Sequence, residues 1–269
     1  MDSSEPSPSG NPTGEAPGAQ QAAAQPKFRW RILLLIPLAV AVVAAVYVPR
    51  QIAQHRAHTE LERIGAVLRS EPVALPFIAQ LAGEDYARQV REVYLINAEL
   101  DSGDLAAIDG LGSISKIELT GSNAGDDDLA YLDGLGGLHT LHLGGTQVTD
   151  AGLEHLAGLS NLGTLSLGDT SVGDSGVVQI SGLSALEFLT LSGTQVTDEG
   201  ASHLSGLVNL RELDLTGTQI TDAAVEHLKQ LTRLEVLKIS EGALSESSIV
   251  ELQASAPQCH VLTPKLRDG

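Results

Sequence analysis

Three histidines, His155, His203 and His227, are separated by multiples of 24 residues. Imidazoles presented side by side are common metal ligands, so this column is the first place to look for chemistry. The same register position, however, holds Tyr131, Gln179 and Glu251, and it falls on the outer side of a helical segment. The column therefore reads as a solvated surface, and no metal is expected. "GDDD" at 125–128 gathers carboxylates but lacks the spaced oxygen ligands and closing Glu of a calcium loop. "GLGG" at 134–137 is not followed by Lys and Ser or Thr, so it is no phosphate loop. Ser, His and Asp are abundant, yet they recur in step with one another. A nucleophile and its base would interrupt such a pattern rather than follow it. No catalytic residue, cofactor or small-molecule substrate is expected, and the chain is not read as an enzyme.

The step is a repeat. "GTQVTD" stands at 145–150 and again at 193–198, "GTQITD" at 217–222 and "DTSVGD" at 169–174. Lines of 24 residues begin at 90, 114, 138, 162, 186, 210 and 234, and positions 1, 4, 6 and 11 hold a hydrophobic residue in all of them. Leu141 and Leu143 illustrate positions 4 and 6. They alternate with polar or small residues, which predicts a short strand. Leu153, Leu156 and Leu159 then follow at helical spacing.

The punctuation between strand and helix fits this reading. Position 12 is Asp101, Gly125, Thr149, Gly173, Thr197, Thr221 and Ser245, all residue types favoured at helix N-caps. Position 13 is Asp at 126, 150, 174, 198 and 222, where an acid meets the positive end of the helix dipole. Position 21 is Gly at 110, 134, 158, 182 and 206, which suggests left-handed C-caps. Thr146, Thr170, Thr194 and Thr218 lie at the turn after each strand, placed to satisfy backbone groups there.

On these residues the chain resembles the leucine-rich repeat family. The family pattern L-x-x-L-x-L-x-x-N/C-x-L stands here as "LHTLHLGGTQV" at 138–148 and "LRELDLTGTQI" at 210–220, with Thr in place of Asn or Cys. The trailing "TDAGLEHLAGL" at 149–159 looks like the helix-bearing subtype of F-box-type and many bacterial repeat proteins. The resemblance implies an α/β fold, a leucine-rich-repeat solenoid with parallel strands on a concave face and helices on the convex face, built from seven repeats over 90–257. Ala98, Ser122 and Gly242 replace the inward Thr in the first two repeats and the last, as capping repeats do. Val261 and Thr263 fall at positions 4 and 6 of an eighth, truncated line, so 258–269 is read as a closing edge strand and tail in which Pro264 discourages further strand addition.

Three segments precede the array. Residues 1–26 are rich in Pro, Ser, Gly, Ala and Gln and offer little to bury, which reads as a disordered tail. Residues 27–50 contain an uncharged run from Ile32 to Val48, flanked by Trp30 and Tyr47, which reads as a single transmembrane anchor. Lys27, Arg29 and Arg31 crowd its N-terminal flank, placing the N-terminus in the cytoplasm and the repeats outside it, periplasmic or extracellular. Residues 51–89 read as a juxtamembrane helix and helical cap, interrupted by Pro72 and Pro76, with Ile52, Leu61, Ile64 and Leu68 as its apolar side.

Charge limits the partners. The net charge is −18, all of it carried by residues 90–269, and no Lys or Arg lies between Lys116 and Arg211. Such a surface repels nucleic acid. Positions 3, 5 and 7 point out of the concave face. The candidate partner-binding residues there are Tyr94, Glu118, His142, Ser166, Phe188, Thr190, Glu212, Asp214 and Lys238. Phe188 is the one large apolar residue in a small, hydroxyl-rich middle, and Glu212 and Asp214 form an acidic pair beside it, selecting a polar or basic protein. The expected function is a membrane-anchored, non-enzymatic protein-binding module. The alternatives are a self-associating envelope spacer and, more remotely, a ubiquitin-ligase substrate receptor, for which no F-box precedes the repeats.

Overall fold

The computed structural model describes residues 45, 48–72 and 88–263. The tail at 1–26 and all but four residues of the anchor segment lie outside them. Among the described residues no helix is long and apolar enough to cross a membrane. The chain divides into two units, Met1–Ala45 and Val46–Gly269, and the second holds the repeats.

The second unit is built on one nine-stranded sheet in sequence order. Its strands are β1 (Val67–Pro72), β2 (Arg88–Tyr94), β3 (Lys116–Glu118), β4 (Thr140–His142), β5 (Thr164–Ser166), β6 (Phe188–Thr190), β7 (Glu212–Leu215), β8 (Val236–Ile239) and β9 (His260–Leu262). From β2 onward each pairs in parallel with the next, in a register shift of 24 residues, so that Ile117 faces Leu141, Leu141 faces Leu165 and Leu165 faces Leu189. Short α and 3-10 turns, such as Asp174–Ile180 and Gly152–Leu156, return the chain along the opposite side. Leucines of strand and helix fill the space between, and Leu141, Leu143, Leu153 and Leu156 are fully buried. Each repeat covers only its neighbours, so the core is continuous along the array. β9 closes it as expected, pairing with β8 from His260 to Leu262.

The turn after each strand shows why "GTQVTD" recurs. Gly145, Gly193 and Gly217 adopt φ of 68°, 66° and 77°, a left-handed conformation that glycine reaches without strain. Thr146 and Thr194 then donate their hydroxyls to Leu143 and Leu191 carbonyls at 2.6 Å, as the sequence suggested. The Gln147 side chain stays exposed while its N–H donates to Ala124 O of the preceding repeat at 2.8 Å. Val148 is buried.

The last two letters do more than cap a helix. Asp126 Oδ1 accepts the N–H of Thr149 at 2.7 Å, and Asp126 Oδ2 accepts its hydroxyl at 2.6 Å. Asp174 repeats this with Thr197 at 2.8 and 2.7 Å, and Asp198 with Thr221 at 2.7 and 2.7 Å. Asp150 takes the Gly173 N–H and Asp222 the Ser245 N–H, each at 2.7 Å. Each aspartate is thus tied to the next repeat, 23 residues on. Asp126, Asp174, Asp198 and Asp222 also lie in a first helical turn, whereas Asp150 precedes a return that starts only at Gly152. The carboxylates also explain a glycine column. A Cβ on Gly152 or Gly176 would fall 2.5 Å from Asp126 Oδ1 or Asp150 Oδ1, and Gly200 meets Asp174 in the same way.

Several expectations are corrected. Of the position-21 glycines only Gly110 and Gly134 are left-handed; the returns before Gly158 and Gly182 end in the right-handed Ala157 and Ser181. Asp101 is not an N-cap. The first repeat's turn starts after Gly103, and the Asp101 N–H is bonded to the Asp104 carboxylate at 2.9 Å.

The largest difference lies in residues 51–89, which are not helical throughout. The helix covers 48–63 and ends at Gly65, φ 84°. Residues 67–72 are an antiparallel strand paired with β2, and 88–90 begin β2 itself. The first parallel strand would otherwise leave its edge open, and this pairing covers it. Of the expected apolar residues Leu61 is buried and Ile64 and Leu68 pack against the core, but Ile52 is exposed, and Gln51, Gln54 and Ala57 are buried beside Leu61. Gln54 accepts the Val90 N–H at 3.0 Å and donates to Ser113 Oγ at 2.8 Å, and that hydroxyl donates to Val90 O at 3.0 Å. One glutamine thereby ties the helix to Val90 and Ser113, which open and close the first repeat.

Candidate functional site

The parallel register brings the candidate residues onto one face. Tyr94, Glu118, His142, Ser166, Thr190, Asp214 and Lys238 stand opposite one another on β2 to β8, and Phe188 and Glu212 are paired two residues earlier on β6 and β7. All nine expected residues therefore share the concave face, because side chains two apart on a strand point the same way.

The face has three parts. At the N-terminal end charges are mutually engaged. Glu118 lies 3.7 Å from Lys116 Nζ and 3.8 Å from His142 Nε2, and Lys116 sits 5.1 Å above the Tyr94 ring. The Tyr94 hydroxyl donates to Glu92, which also faces Arg69 at 3.4 Å. That bond holds the Tyr94 pKa above its ordinary value. Burial holds the His142 pKa below its ordinary value, Glu118 pulls upward against it, and Lys116 lowers it further.

The middle is low and polar: Thr140, Thr164, Ser166 and Thr190, with Gly144 and Gly168 beyond them. A Cβ on Gly168 would lie 2.8 Å from Ser192 Oγ, so a side chain there requires that hydroxyl to turn away.

The C-terminal part contains Phe188, 40% exposed. The neighbouring acids are not equivalent, which the sequence did not reveal. Lys238 stands opposite Asp214 in register, yet its ammonium is bonded to Glu212, and this bond raises its pKa. Asp214 Oδ1 accepts only the Thr216 N–H, at 3.0 Å.

On the other side, His155 lies 3.4 Å from Asp133, and His203 lies 3.8 Å from Glu199. Among the described residues no three metal-ligating side chains gather. Asp126 of the "GDDD" run belongs to the inter-repeat ladder, and Asp128 accepts the Gly125 N–H at 2.9 Å.

The stacked strand-turn-helix lines define a repeat solenoid. A leucine-rich repeat family model matches residues 138–157, 183–205 and 207–229. The chain is a leucine-rich repeat protein. No curated protein matches it. Internalin C2 of Listeria monocytogenes is structurally similar, with 27% identity over 64% of this chain and 70% of that one and a TM-score of 0.52. Another internalin of that organism aligns over 69% and 66% of the two chains at 18% identity and a TM-score of 0.47. A leucine-rich repeat protein of Leptospira interrogans aligns over 61% and 40% at 18% identity and a TM-score of 0.46.

Proposed function

We propose that the repeats form a protein-binding module whose concave face receives the partner around Phe188. The observation carrying this reading is an exposed phenylalanine on a sheet face otherwise low and polar at its centre. Interface energy concentrates in such large side chains, surrounded by contacts that exclude water. The acidic excess of the repeats favours a polar or basic partner by steering it electrostatically.

A photo-crosslinking residue at Thr190 tests the site, with the same residue at Asp127 on the far side as control. Capture of a discrete protein from Thr190 alone supports the reading. Equal yields at both positions, or none at Thr190, refute it.

The reading includes membrane attachment through 27–50, with the repeats on the non-cytoplasmic side. Its support is the uncharged run from Ile32 to Val48 and the basic residues before it. Cys259 is buried and poorly placed to report topology. An exposed reporter, Glu241→Cys in a Cys259→Ser background, is better. Labelling of intact cells by a membrane-impermeant thiol reagent supports export. Labelling only after lysis sinks it.

A further inference from the structure

We propose that the concave face takes an arginine of its partner, the guanidinium lying on the exposed ring of Phe188 and bonding the carboxylate of Asp214. This rests on the reading of that face as a protein-binding surface.

Charge complementarity is the first argument. Each of the other concave carboxylates has a cation at hand: Glu92 has Arg69, Glu118 has Lys116, and Glu212 has Lys238. Asp214 has no cation bonded to it among the described residues. Lys238, the residue facing it in register, is turned to Glu212. Glu212, Asp214 and Lys238 together keep one net negative charge, and Asp214 is the acid of the pair to which the Lys238 ammonium is not bonded. The Thr216 hydroxyl beside it is buried without a hydrogen-bond partner. The surroundings of the carboxylate are therefore polar and incompletely satisfied.

Geometry supplies the second argument. Phe188 pairs with Glu212 and Thr190 with Asp214, so Phe188 and Asp214 are diagonal neighbours on adjacent strands. Diagonal neighbours in a sheet are about 7–8 Å apart, within reach of one long side chain laid across both. A flat aromatic surface next to a carboxylate calls for a cation that stacks and donates in its own plane. Guanidinium does both, because it is planar, weakly hydrated and carries several N–H donors. An ammonium is a compact and strongly hydrated point charge, and it matches only the carboxylate.

The test compares nona-arginine with nona-lysine, equal in charge and length, titrated onto the full chain by fluorescence anisotropy. Nona-arginine is expected to bind about threefold to tenfold more tightly. The preference should fall to near unity in Phe188→Ala and in Asp214→Asn. It should survive Asp127→Asn, which removes the same charge on the far side. Thermal melts check that each variant is folded, and Asn at 214 keeps an acceptor for the Thr216 N–H. Equal affinity of the two peptides overturns the proposal, and so does a preference that persists in both concave-face variants. If the Thr190 crosslinker captures a protein while arginine shows no preference, only the arginine anchor falls. If the crosslinker captures nothing, the binding surface falls with it.

Discussion

The inner repeats and the N-terminal cap solve the same problem in opposite ways. Each must satisfy backbone groups between one layer of the array and the next. The inner repeats use one device many times: an aspartate at position 13 accepts donors of the following line, from Asp126 to Asp222. The cap uses a device once, where Gln54 and Ser113 close a relay around Val90. Between the first two repeats Asn123 plays a third part, accepting the Leu100 N–H at 2.7 Å and donating to its carbonyl at 3.0 Å. Repetition is legible in a sequence, and a single use is not.

The largest expected effect is on the repeated device. Asp174 accepts the N–H and hydroxyl of Thr197 and the N–H of Gly200. Asp174→Ala leaves these donors unmet and is expected to cost about 3 kcal/mol in denaturant unfolding. Asp127→Ala, exposed and outside the ladder, should stay within about 0.5 kcal/mol of the parent. Equal effects would remove the distinction between ladder and surface acids.

Gln54→Leu comes next, at about 2 kcal/mol, because Val90 N–H loses its acceptor while Leu keeps much of the volume. Its signature is local. Hydrogen exchange should quicken at Val90 and leave β5 to β7 protected. Uniform loss of protection would mean that cap and repeats are one cooperative unit, and the contrast drawn above would fail.

Thr194→Val is smaller, about 1 kcal/mol, since one hydroxyl bond to Leu191 O is lost and the shape is kept. A calorimetric scan measures it.

The smallest effect concerns pH. Burial holds the folded-state pKa of His142 down, so the unfolded chain binds this proton more readily. The neutral imidazole therefore favours folding above the unfolded value, about 6.5, and that contribution fades as pH falls through the lower folded one. His142→Gln should flatten the decline of stability between neutral and mildly acidic pH. An unchanged slope in urea titrations at several pH values would remove His142 as its source.

The site was half legible. Strand alternation places Tyr94, His142, Phe188 and Asp214 on one face, because side chains two apart point the same way. Which acid is engaged was not legible. Lys238 faces Asp214 in register and bonds Glu212 instead, a choice of rotamer and reach rather than of sequence spacing. The strand at 67–72 was hidden for a related reason. "VLRSEP" lies outside the 24-residue period, and its pairing with β2 depends on the edge that the array presents.

What the sequence determined by itself is the period, the core and the hydroxyl of each turn. These rest on burial and on bonds within three residues, which local spacing specifies. The tertiary structure alone decided where each aspartate points, which glycine must lack a side chain, and how the first edge is closed. Those outcomes depend on atoms one repeat away, brought close only when the lines stack.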